Sequence, residues 1–74
     1  MATIEVKSEI TGKVWKIETK PGDRIEEDDP ILILESMKME IPVSAPMDCK
    51  LVELLVAEED AVSEGQVVAI VEED

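Results

Sequence analysis

Residues 35–43 read Glu-Ser-Met-Lys-Met-Glu-Ile-Pro-Val, with Lys38 held between Met37 and Met39 just after the aliphatic run Ile31–Leu34. A lysine amine held clear of a surface is a nucleophile that another protein's active site can reach. Little else in the chain could do chemistry. With no histidine there is no Ser/His/Asp or Cys/His set, and the three glycines form no phosphate-cradling loop. Cys49 is the only cysteine; it can form no internal disulfide and reads as a small buried residue rather than a nucleophile or metal ligand. Glu26, Glu27, Asp28 and Asp29 could collect a cation weakly. They lack the alternating ligand spacing of a Ca²⁺ loop, however, and read as a solvated turn.

The position of the amine follows from the strands around it. Centring a hairpin on Met37-Lys38 pairs Ser36 with Met39, Glu35 with Glu40, Leu34 with Ile41, Ile33 with Pro42 and Leu32 with Val43. That register leaves a two-residue connection, and right-handed strand twist restricts such connections to primed turns with φ > 0 at one or both central residues. Gly, Asn or Asp would normally stand there. Met and Lys each carry a Cβ, which costs roughly 1 kcal/mol or more in the left-handed region. Local chemistry that contradicts local geometry is expected where function requires it. The sequence therefore predicts a lysine presented at the tip of a β-ribbon rather than packed, flanked by methionines that are not core filler.

The rest of the chain must build the support for that ribbon. Seventy-four residues allow one domain, residues 1–74, because a chain this short cannot support two cores. Val, Ile and Leu number 22, of which 17 are β-branched, against one Trp and no Phe or Tyr. Side chains of that kind fit a pleated surface better than a helix, so the expected class is all-β. Sliding the sequence against itself by 37 residues aligns Ile4 with Ile41, Val6 with Val43, Lys13 with Lys50, Asp23 with Asp60, Glu27 with Glu64, Ile33 with Ile70 and Glu35 with Glu72. The chain is one plan written twice, as pseudo-repeats 1–37 and 38–74.

Strands are expected near 2–7, 12–18, 24–26 and 30–35, and again near 39–44, 49–56, 61–63 and 67–72, with short turns between them. Pro21-Gly22 carries the chemistry of a type II turn. Neither half can bury its own apolar face, so the halves must pack face to face. The result is a flattened β-barrel or sandwich of two four-stranded antiparallel sheets with pseudo-twofold symmetry. Under that symmetry Met1 is the counterpart of Lys38, which places Lys38 at the far pole from the chain ends.

Nineteen acidic residues against seven basic ones give a net charge of −12, which argues against nucleic acid and anionic membrane surfaces as partners. No apolar run is long enough to span a bilayer and no basic-then-apolar segment opens the chain, so the expected location is cytoplasmic. The free domain is expected to be monomeric, with its acidity keeping it soluble.

Met37-Lys38-Met39, preceded by Glu35-Ser36, resembles the attachment motif of the biotinyl, or biotin carboxyl carrier, domain family. Ala45-Pro46 and Pro21-Gly22-Asp23 fit the same pattern, and the resemblance covers essentially the whole chain. It implies that a biotin protein ligase joins biotin to Lys38 through an amide, with Met37 and Met39 offering apolar surface to the partner enzymes. The lysine would then shuttle carboxybiotin between a biotin carboxylase and a carboxyltransferase, the carrier itself catalysing nothing. Cys49 and Glu59 depart from the family pattern, standing where glycine is usual. The chain also lacks the protruding thumb of some members, and so looks like a free-standing thumbless carrier or the trimmed end domain of a larger carboxylase subunit. Two alternatives remain at this point: a lipoyl carrier of the same fold, whose tip typically reads Asp-Lys-Ala, and an unmodified acidic adaptor or cation-binding module.

Overall fold

The structure is a computed structural model that describes residues 2–73. Among the described residues eight strands follow one another without a helix: β1 (Thr3–Lys7), β2 (Gly12–Ile17), β3 (Arg24–Ile25), β4 (Pro30–Ser36), β5 (Met39–Ser44), β6 (Cys49–Leu54), β7 (Ala61–Val62) and β8 (Val67–Glu73). They form two antiparallel four-stranded sheets, ordered β1-β8-β6-β3 and β5-β4-β2-β7. A shift of 37 residues converts the first order into the second, as the repeat requires. The halves do not, however, meet as separate leaves. Each sheet takes two strands from each half, so the repeats interlock and neither has a sheet of its own.

One aliphatic core lies between the sheets. Val14, Ile31, Leu32 and Leu34 from the first half pack with Leu51, Val68, Ala69 and Val71 from the second, all at 1% exposure or less. At about 1.5–3 kcal/mol per fully buried aliphatic side chain, burial in this seam is the main stabilising term. Cys49 is buried among these residues, as its apolar reading required. Two symmetric bulges fit the sequence to that core. The register shifts past Ile31 in the β4–β5 ladder and past Val68 in the β1–β8 ladder. Each bulge lets two consecutive residues, Ile31-Leu32 and Val68-Ala69, face inward, which a regular pleat forbids.

The turns repeat as faithfully as the strands. In residues 20–23 the Asp23 N–H donates to the Lys20 carbonyl at 3.0 Å with Gly22 at φ 99°, the type II turn expected at Pro21-Gly22. Its mate, residues 57–60, makes the same bond at 3.1 Å with Glu59 at φ 77°. The second turn pair reverses the chemistry: Asp28 takes φ 71° in the first half, where the second half has Gly65 at 85°. Aspartate tolerates that region through its short polar side chain; glutamate has no such help.

The two family departures therefore differ physically. Cys49 sits in a strand and has no left-handed backbone, whereas Glu59 does. Removing the Glu59 Cβ relieves that conformation and loses only an exposed 4.0 Å contact with Lys13, which is worth little. Glu59→Gly is expected to raise stability by up to about 1 kcal/mol in thermal melting; equal or lower melting contradicts the strain. Gly12 behaves oppositely, because a Cβ there would stand 2.7 Å from the Glu35 carbonyl oxygen. Gly12→Ala should cost about 1–3 kcal/mol in chemical denaturation, and a neutral result would mean that β2 can move away from β4 freely.

Candidate functional site

The β4–β5 ribbon carries the register expected from sequence. Ser36 pairs with Met39, Glu35 with Glu40, Leu34 with Ile41, Ile33 with Pro42 and Leu32 with Val43. Two residues remain to close it, and both take left-handed backbone: Met37 at φ 52° and Lys38 at φ 67°. This is the primed turn that the strand twist demands, made without Gly, Asn or Asp. β5 is the edge strand of its sheet, so Pro42 can sit in it without interrupting a second ladder.

The tip is bare. Met37 is 92% exposed and Met39 62%, and Lys38 is exposed beside them. Among the described residues the Lys38 ammonium has neither an ion-pair nor a hydrogen-bond partner. One rung below, Glu35 and Glu40 stand directly opposite each other. Like charges in that relation are destabilising; Lys13, opposite Glu35 on its other side, offsets part of the repulsion. The methionines are surface, as expected, and not core.

Beneath the tip the ribbon is fastened to β2. The Ser36 hydroxyl donates to the Thr11 carbonyl at 3.1 Å, and Gly12 admits the Glu35 carbonyl at a distance no other residue would allow. Sequence reasoning did not identify Thr11, Gly12 or Ser36 as supports. The available signal was that Gly12 is aligned with Cys49 in the repeat, so only one of the two sites needs the missing side chain. The chain ends take the place equivalent to the tip, where the Glu73 N–H donates to the Ala2 carbonyl at 2.9 Å. Met1, the counterpart of Lys38, lies outside the described residues.

A groove of about 350 Å³ runs between the β1 end and β5, bordered by Val6, Lys7, Ile10, Ile41 and Val43, and Lys38 is not part of its wall. The acidic run Glu26–Asp29 forms the turn between β3 and β4, its Asp29 N–H donating to the Glu26 carbonyl at 3.0 Å. Among the described residues no group of three or more acidic or Cys side chains is placed to hold a metal ion. What the site offers is an exposed amine at the end of a two-stranded ribbon. A primary amine of this kind fits a cofactor that ends in a carboxylate, because an amide needs only the amine and an activated acyl group from elsewhere.

Residues 4–71 match the biotin/lipoyl attachment family, described as "Biotin-requiring enzyme". A Biotin/lipoyl attachment protein of Bacillus subtilis is 44% identical over 62 residues, covering 84% of this chain and 85% of that protein. The Biotinylated protein TB7.3 homolog of Mycobacterium leprae is 34% identical over 67 residues, covering 90% of this chain and 94% of that one. The Kluyveromyces lactis urea carboxylase superposes with a TM-score of 0.90 at 34% identity, over 96% of this chain but only 6% of the carboxylase. The chain thus spans nearly the whole of some relatives and a small part of others. It belongs to the biotin/lipoyl attachment family and has the barrel-sandwich fold of that family's carboxylase domains.

Proposed function

We propose that the chain is a biotin carboxyl carrier and that Lys38 is its attachment point. The observation that carries this reading is the unpaired lysine at the apex of a strained two-residue turn, in a chain whose family is described as "Biotin-requiring enzyme". The Lys38 Nζ attacks the activated carboxyl carbon of biotin on a biotin protein ligase; the C–N bond forms, the activating group departs with its electron pair, and the amine gives up a proton. An amine attacks only when neutral, so its proton is lost to a base on the ligase or to solvent before attack. When bound, biotin accepts a carboxyl group and releases it to an acceptor.

The residues of this chain position and present. The turn aims the lysine outward, and the Ser36–Thr11 bond and Gly12 contact hold the ribbon while a partner engages its end. A tethered group visits two active sites at high effective concentration, provided the domain reaches each in turn. Carboxylases are the natural partners, since similar domains occur in a urea amidolyase of Saccharomyces cerevisiae and in the urea carboxylase above. A biotin carboxylase would load the arm and a carboxyltransferase would unload it. Acylation removes one positive charge and takes the net charge from −12 to −13. Met37 and Met39 offer flexible apolar surface to these enzymes.

Two outcomes test the reading. Protein made with an active biotin ligase should bind streptavidin on a blot, while Lys38→Ala should not; a lipoyl carrier would stay dark in both lanes. A double Met37→Ala, Met39→Ala variant should melt like wild type yet be biotinylated several-fold more slowly, and unchanged rates would remove the methionines from recognition.

A further inference from the structure

The internal symmetry gives this protein its own control surface. The two sheets are built on one plan, so a difference between their outer faces is not explained by that plan alone. At the β2 bulge the register skips Trp15, and at the matching β6 bulge it skips Val52. Both side chains point outward, Trp15 at 47% exposure and Val52 at 46%. The chain's one aromatic residue thus lies on the sheet that carries the Lys38 ribbon. Beside it is a shallow recess of about 270 Å³ lined by Lys13, Val14, Trp15, Glu35, Glu58 and Glu59. The residues aligned with Glu58 and Glu59 on the other sheet are Pro21 and Gly22. Glu59 retains its side chain there in spite of φ 77°. Glu58 also has a local duty, accepting the Ile17 N–H at 3.2 Å.

We infer that the Trp15 recess is the docking surface for the enzyme that acylates Lys38, and that this enzyme brings an apolar socket rimmed by Lys or Arg. The inference rests on the carrier reading above. Reach selects this partner among those that visit the tip. An enzyme working at the far end of an acylated lysine is held off by the length of the acyl chain, whereas one acting on the bare Nζ must close around the ribbon itself. Glu35, on the wall of the recess, is three residues from Lys38, roughly 10 Å along the strand. Charge selects the chemistry of the socket. The chain carries −12, and three acidic residues line the recess against one lysine, Lys13, whose ammonium is already 4.0 Å from Glu59. A half-exposed Trp is the residue type that most often anchors an interface, and a cation over its face adds to that anchor.

The test is steady-state biotinylation of the full chain by a purified biotin protein ligase with biotin and ATP. Trp15→Val, which installs the residue of the symmetric site, should raise KM about tenfold or more with kcat little changed. Trp15→Phe should recover most of that loss, and added salt should raise the wild-type KM. Val52→Ala should have no effect, and acetylation of Lys38 by a small activated ester should proceed equally in every variant, showing that the hairpin is intact. Trp15→Val with an unchanged KM, or Val52→Ala as impaired as Trp15→Val, overturns the docking surface while leaving the carrier reading in place. A wild-type chain that the ligase leaves bare overturns both.

Discussion

Everything distinctive about this molecule depends on how many residues are left to close the β4–β5 ribbon. The aliphatic rungs Leu34–Ile41 and Leu32–Val43 fix the register, and a slip of one residue would turn buried side chains outward. With the register fixed, two residues remain, the strand twist restricts them to a primed turn, and both take positive φ. Core packing at one end of the ribbon thereby holds Met37 and Lys38 in a conformation their own side chains disfavour. No local device at the tip is needed, because the restraint comes from burial several residues away.

The pseudo-twofold symmetry separates what folding requires from what it does not. Ser8 and Ala45, aligned in the repeat, make equivalent backbone contacts: Ser8 N–H to the Gln66 carbonyl, and Ala45 N–H to the Asp29 carbonyl, each at 2.9 Å. Gly22 N–H reaches the Leu51 carbonyl as Glu59 N–H reaches that of Val14, each at 2.8 Å. The scaffold is thus held twice over by the same bonds. Against that background the departures stand out: a glycine at 12 under the ribbon where Cys49 fills the matching site, and a glutamate at 59 where the mate is Gly22.

Much of this was legible in the sequence, for physical reasons that can be named. The 37-residue repeat located every strand, because aliphatic alternation and turn residues recur at the same offsets in both halves. The hairpin register was legible because alternate rungs matched aliphatic with aliphatic. The interlocking of the halves was not, since a repeat says which strands are equivalent and not which ones pair. The bulges at Ile31 and Val68 were also hidden: consecutive apolar residues fit either a regular buried strand or a bulged one. Nor does the sequence reveal that the Glu35 carbonyl approaches Gly12, a contact made by backbone alone. At the site, the lysine and its methionines could be read because their residue types contradict their turn. Trp15 carried no such contradiction, and its half-exposed position beside the ribbon is visible only in the structure.

A carrier of this kind needs an amine that differs from its neighbours in presentation, not in chemistry. Lys7, Lys13, Lys16, Lys20 and Lys50 are lysines too, yet none has the left-handed backbone that places Lys38 at an apex. Tandem mass spectrometry of the chain after incubation with biotin ligase, biotin and ATP tests that distinction directly. A single biotinyl group on Lys38, with the other five lysines bare, is the predicted result. Label spread among several lysines, or an unmodified Lys38, would contradict it.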